Sequence, residues 1–209
     1  MRNLSIADAV KLQLQLSSNV IKHDVVEQEK IKRICGVDVT YRGNNAFSSA
    51  VVVRRDTLDV IDSACIMRKV QYAYVPGLLF LRESEPILAV LKKLNDGYDV
   101  LMVDGHGLLH PRRFGIASYI GIKTDKPTVG VGKSLLCGNV AERDGSVLLD
   151  GEIVGRVLKT KSKPIYVSVG HKVSLQTAVK LVKDVIRHRM PEPLRLADIN
   201  SRKMARESS

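Results

Sequence analysis

Cysteine is scarce and unpatterned in this chain. Only Cys35, Cys65 and Cys137 occur among 209 residues, and no two stand at CxxC spacing. That excludes a disulfide framework and a zinc ribbon alike, and it fits a reducing compartment. Long apolar runs are missing too. None approaches the roughly 20 residues that cross a bilayer. Asp8, Lys11 and the glutamines interrupt the N-terminus where a signal peptide would carry its apolar core. No internal repeat or low-complexity linker is visible. Acidic residues are the minority charge: 33 Lys and Arg face 22 Asp and Glu, a formal net charge of +11. A surplus of that size points to a polyanion partner, nucleic acid first, without separating DNA from RNA. The apolar share of 44% supports a buried core, and the length suits one domain, 1–209. The expectation is a cytoplasmic monomer that no membrane holds.

Hydropathy patterning orders the elements. Ile6, Val10, Leu14 and Ile21 recur at helical spacing behind a Ser5 cap, so the segment 1–30 is read as helical over Ser5–Val25. Ile34–Tyr41, Ala46–Arg54 and Leu58–Met67 read as three antiparallel strands. Pro76 and Gly77 open a helical region reaching Leu94, with Pro86 expected to kink or restart it. The strand Asp99–Asp104, a helix Phe114–Ile122 and a strand Pro127–Val131 follow. Val147–Leu149, Glu152–Lys159 and Ile165–Val169 are further strands, and Ser174 caps an amphipathic helix reaching Arg189. The segment 191–209 reads as a basic tail with a frayed end. This order predicts an α/β fold: a mixed β-sheet with helices on both faces, plus an N-terminal helix.

Some positions carry chemistry. Asp38 interrupts a β-branched strand, where aspartate is depleted; an edge strand with its polar face in water would also accommodate it. Glu83 falls on the stripe Phe80, Ile87, Val90, Leu94, which must face the sheet. A buried carboxylate there needs a metal or a basic partner at the rim. Asp104 ends the apolar run Val100–Val103 and meets a glycine-rich turn, at the strand end where open α/β sheets bind ligands. If Asp38, Glu83 and Asp104 converge, their repulsion calls for a divalent cation, and oxygen ligation suits Mg²⁺ or Mn²⁺. A basic protein holding such a cluster is equipped for phosphodiester hydrolysis.

Two motifs fail. Gly132-Lys133-Ser134 looks like the end of a P-loop, but Pro127 stands where the loop's first glycine belongs, so no nucleotide cofactor is expected. His106 and His110 have zincin spacing, yet no Glu follows the first, and Gly105 and Gly107 make the segment a loop. Lys133 is left to face a phosphate or simply solvent.

The blocks GVDVTY (36–41), YAYVPGLLFLRE (72–83), VDGHGLLHPRRFGIASYIG (103–121), TVGVGKS (128–134) and PEPLRLAD (191–198) resemble the endonuclease V family. The resemblance implies a ribonuclease H-like fold and a Mg²⁺-dependent nick beside deoxyinosine in DNA. The cut falls at the second phosphodiester bond 3′ to the lesion and leaves 3′-hydroxyl and 5′-phosphate ends. It implies metal binding by Asp38, Glu83 and Asp104, and accessory catalysis by His110 and Lys133 near the attacking water and the phosphate. Tyr74 and Pro76 fall in the family's Pro-Tyr-Ile-Pro wedge, where Ala73 replaces the first proline. An aromatic wedge would part base steps. Gly77, Leu79, Gly105, Gly107, Gly115, Ile116 and Leu136 fall on the base pocket, into which inosine would flip. Arg112 and Arg113 would contact phosphates or cap their loop. Asp198 aligns where some members carry a histidine. Cleavage of inosine-containing RNA, and binding without catalysis, are the rival readings.

Overall fold

The computed structural model describes residues 4–208. Helix α1 spans Ile6–Ser17, and the Ser5 hydroxyl caps it by accepting from the Asp8 N–H at 3.1 Å. Strands β1 (Arg33–Arg42), β2 (Asn45–Arg54) and β3 (Val60–Lys69) form an antiparallel meander. Helix α2 (Leu79–Leu91), β4 (Val100–Asp104), α3 (Ile116–Thr124) and β5 (Thr128–Gly132) follow. Then come β6 (Asn139–Val140), β7 (Ser146–Leu149), β8 (Glu152–Leu158) and β9 (Ile165–His171). Helices α4 (Leu175–Asp184) and α5 (Glu192–Glu207) close the described chain. Among the described residues the strands make one sheet in the order β3-β2-β1-β4-β5-β9-β8-β7-β6. Only β1–β4 and β4–β5 pair in parallel. The expected mixed sheet with helices on both faces and an N-terminal helix is present.

Several expectations need correction. The N-terminal helix stops at Ser17, and α4 stops at Asp184 rather than Arg189. The two-residue strand β6 carries too short a pattern to be read in advance. Pro86 lies inside α2, so the helix does not restart there, and Phe80, Ile87 and Val90 stay buried; the helix stops at Leu91 rather than Leu94. The segment 191–209 is not simply a basic tail: α5 occupies Glu192–Glu207 and packs on β1 and β2, while Ser209 lies outside the described residues. Its buried stripe is Leu194, Ala197, Ser201 and Ala205. Mostly small residues carry it, and they give a weak hydropathy signal. Pro193 sits in the first turn, where its missing N–H costs nothing. Arg42 donates from Nη1 to the Ala205 carbonyl at 2.9 Å, which satisfies one of the open carbonyls at the other end.

Close packing on β1 depends on Gly36. A β-carbon there would collide with the backbone of Pro193 and Leu194. By strand alternation, Asp38 and Thr40 share the Gly36 face and therefore look at α5. The Ser201 hydroxyl meets both, at 3.2 Å from Asp38 Oδ2 and 2.8 Å from Thr40 Oγ1.

Candidate active site

Register puts the acids side by side. Val37 of β1 pairs in parallel with Val103 of β4, so Asp38 and Asp104 are neighbours one step further along. Asp104 in turn lies opposite Val131 of β5, and Lys133 follows that strand's end. Glu83 projects from α2 toward the same point, and Asp198 comes from α5. Asp38 is buried, at 8% exposure. Its pKa is raised by burial first and then by the Asp104 charge, with Lys133 pulling the other way. Burial pushes the Glu83 carboxyl up to about 8, helped by Asp38 and Asp104; Tyr41 and Arg82 offset part of this. Carboxylates that raise one another's pKa are repelling one another at close range.

Lys133 Nζ forms an ion pair with Asp104 Oδ2. Burial works against the Lys133 charge, but Asp104, Asp38 and Asp198 outweigh it and raise its pKa. The lysine is thus the internal counterion of the cluster. Among the described residues, no three His, Cys, Asp or Glu side chains are gathered at coordinating geometry as they stand. The donor chemistry nonetheless suits a hard divalent cation: carboxylates from β1, α2 and β4, which Lys133 and Arg82 neutralise only in part.

A cavity of about 220 Å³ adjoins these acids. Gly77, Leu79, Gly105, Gly115, Ile116 and Leu136, all expected in a base pocket, line it. Tyr74 stands at its rim, 61% exposed, with Pro76 exposed beside it. Gly107 lies behind the wall instead. Its N–H donates to Ser168 Oγ at 2.9 Å, and a β-carbon would strike the Val169 carbonyl oxygen. A larger hollow, of about 720 Å³, lies between the β6–β8 region and α4, and none of the acids named above lines it.

His110 does not join the acids. It is 3% exposed and lines the cavity wall. Its Nδ1 accepts from the Arg112 N–H at 3.2 Å, and its Nε2 stands 3.1 Å from the Gly77 carbonyl, to which it donates in the tautomer this arrangement selects. Burial, then Arg112, lowers its pKa to about 4. With both nitrogens engaged, the neutral imidazole is part of the cavity wall in this arrangement. The arginines also turn inward. Arg112 donates from Nη2 to the Gly77 carbonyl at 2.7 Å, and Arg113 donates from Nη2 to the Leu149 carbonyl at 2.6 Å. Both thus brace their loop, as the capping alternative requires.

Several site residues escaped the sequence reading. Arg82 stacks 4.1 Å above the Tyr41 ring and flanks Glu83; its place next to Glu83 was the available signal. Ser201 holds Asp38 and sits three residues after Asp198, one helical turn away. Asp198, read without a firm role, contributes to the charge felt by both Asp38 and Lys133. His106 lines the cavity, feels the Asp104 charge, and keeps a buried Nδ1 without a partner.

The family model described as Endonuclease V matches residues 14–199. An endonuclease V of Thermofilum pendens is 42% identical over 98% of this chain and 90% of its own length. The crystal structure of endonuclease V from Streptomyces avermitilis superposes with a TM-score of 0.89 at 35% identity, covering 99% of this chain and 95% of that one. The Ciona intestinalis enzyme superposes with a TM-score of 0.90 at 29% identity, covering 98% of each chain. That protein was crystallised with a 23mer DNA containing an inosine followed by a ribo-adenosine.

Proposed function

The chain belongs to the endonuclease V family and is a nuclease, and on that footing we propose that it is a Mg²⁺-dependent repair endonuclease for deoxyinosine in DNA. It hydrolyses the second phosphodiester bond 3′ to the lesion and leaves 3′-hydroxyl and 5′-phosphate ends. One observation carries this reading: Asp38, Glu83 and Asp104, each on a different element, crowd beside a glycine-walled cavity suited to a single base.

Asp38, Glu83 and Asp104 would hold the cation, with Asp198 at its flank. When bound, Mg²⁺ would neutralise the scissile phosphate and lower the pKa of a water. Lys133, released from Asp104, turns its ammonium to the phosphate. Ser201 keeps Asp38 oriented through its 3.2 Å hydrogen bond. Tyr74 inserts where the base leaves its stack, and backbone groups at Gly77, Gly105 and Gly115 face the flipped base. Neutral His110 fixes Gly77 rather than moving a proton. The surplus of Lys and Arg supplies backbone attraction that weakens steeply with salt.

An RNA substrate is the second reading, favoured by the ribo-adenosine after the inosine in the Ciona complex. End-labelled matched duplexes differing by one inosine, in DNA and RNA forms, test both with Mg²⁺ present. The expected result is a single cut beside inosine in DNA, lost on Asp38→Ala. Equal cutting of undamaged duplex would refute lesion recognition, and preferential cutting of the RNA form would move the substrate to inosine RNA.

A further inference from the structure

Gln13 is the anomaly of α1. This helix buries only Ala9 and Gln13, and leaves Ile6 59% and Leu14 56% exposed. A glutamine at 1% exposure in mid-helix must spend all its hydrogen-bonding groups. Its Nε2 donates to the Gly77 carbonyl at 3.2 Å and to the Phe114 carbonyl at 2.8 Å. Its Oε1 accepts from Arg112 Nε at 2.6 Å, and Arg112 Nη2 reaches the Gly77 carbonyl at 2.7 Å. Gly77 and Gly115 line the same cavity but belong to segments far apart in the chain. One carboxamide therefore ties two walls of the cavity and closes a ring with Arg112.

We propose that Gln13 is a positioning residue for lesion recognition: by joining the Gly77 turn to the Phe114–Gly115 backbone it sets the width of the base cavity. This rests on the reading of that cavity as the base site. The Gly77 carbonyl is already claimed by Gln13, Arg112 and His110. The network therefore holds a wall that Gln13 and His110 themselves line, and its hydrogen bonds are spent on protein groups. None of Gln13's hydrogen bonds runs to the acids. Loosening it alters which base is accepted and leaves the cation requirement alone.

The test compares the full chain with Gln13→Glu and Gln13→Met. Gln13→Glu keeps the volume and the Arg112 pair but turns a carboxylate toward two carbonyls. Gln13→Met fills the space without hydrogen bonds. Single-turnover cleavage in Mg²⁺ is measured on oligonucleotides carrying inosine, guanine or adenine at one position, with thermal melting recorded alongside. The inosine rate should fall at least tenfold in each folded variant. Preference over guanine and adenine should shrink, while the Mg²⁺ concentration for half-maximal rate stays within twofold. If Gln13→Met melts below the assay temperature, Gln13→Glu decides. Preference within twofold of the parent, or a rate loss accompanied by a changed Mg²⁺ requirement, overturns the proposal. A parent without inosine preference overturns the base-site reading and this inference with it. A selective parent with unaffected variants overturns this inference alone.

Discussion

Glu83→Gln should stabilise the cation-free protein, and by more at high pH than at low. The Glu83 carboxyl is raised from 4.5 to about 8 by burial and by the charges of Asp38 and Asp104. In the unfolded chain it loses its proton near 4.5; in the fold it keeps that proton until about 8. Between those limits unfolding releases a proton, so the group's contribution is intact below 4.5 and is lost as pH rises through 8. Glutamine is neutral throughout and preserves the shape. At about 1.4 kcal/mol per tenfold change in proton affinity, the rise from 4.5 to about 8 sets a ceiling of about 5 kcal/mol. Glu83 still meets some solvent, which screens the repulsion, so we expect about half of that ceiling, roughly 2–3 kcal/mol at pH 9. Urea denaturation in a chelator at about pH 5 and pH 9 measures it, with a gain under about 1 kcal/mol expected at the lower pH. Equal effects at both pH values, or destabilisation at pH 9, would refute a Glu83 carboxyl raised by burial and by its acidic neighbours. In the presence of Mg²⁺ the same variant should have lost its cutting.

Mg²⁺ should raise the melting temperature of the parent at pH 8 and leave Asp38→Ala nearly unmoved, since binding to the fold alone adds about 2.7 kcal/mol at a hundred times the dissociation constant; an equal rise in both would place the cation elsewhere. Gly36→Ala should cost about 3 kcal/mol by overpacking, because its β-carbon meets Pro193 and Leu194 and levers α5 off β1; a melting temperature within a degree of the parent would show that α5 yields freely.

The acids were legible because each broke a rule of its own element. Aspartate in a β-branched strand, a lone acid closing an apolar strand, and glutamate on an apolar helix stripe all look expensive before any contact is known. Most strands were legible too, since β-branched runs bounded by turn residues leave few alternatives. The α5 helix was not, because Ala197, Ser201 and Ala205 pack closely without announcing themselves as apolar. The placement of His110 in the cavity wall was not legible, because it depends on the path after Gly105 and no periodicity encodes a loop path. Gln13 could not be read at all, since its partners Gly77 and Phe114 lie 64 and 101 residues away.

The two halves of the site meet within one peptide unit. Asp104 is the last residue of β4 and faces the acids; Gly105, the next residue, lines the cavity. The register of β4 with β1 and β5 fixes Asp104 against Asp38 and below Lys133. The returning chain fixes the cavity's opposite wall, because a β-carbon at Gly105 would stand 2.5 Å from the Ile116 side chain. The first fixing is a strand register and the second a close approach to the Ile116 side chain, so neither half can drift without straining buried structure. A lesion enzyme that reads a base in one place and cuts the backbone in another needs a constant offset between the two. On the proposed reading, that offset is set by covalent adjacency at the end of a central strand, whereas the walls that would judge the base are held by removable side-chain ties from Gln13, His110 and Arg112. Cut position should therefore survive substitutions that erode base preference, and a shifted cut in a Gln13 or Arg112 variant would show that the ruler runs through the pocket wall rather than through β4.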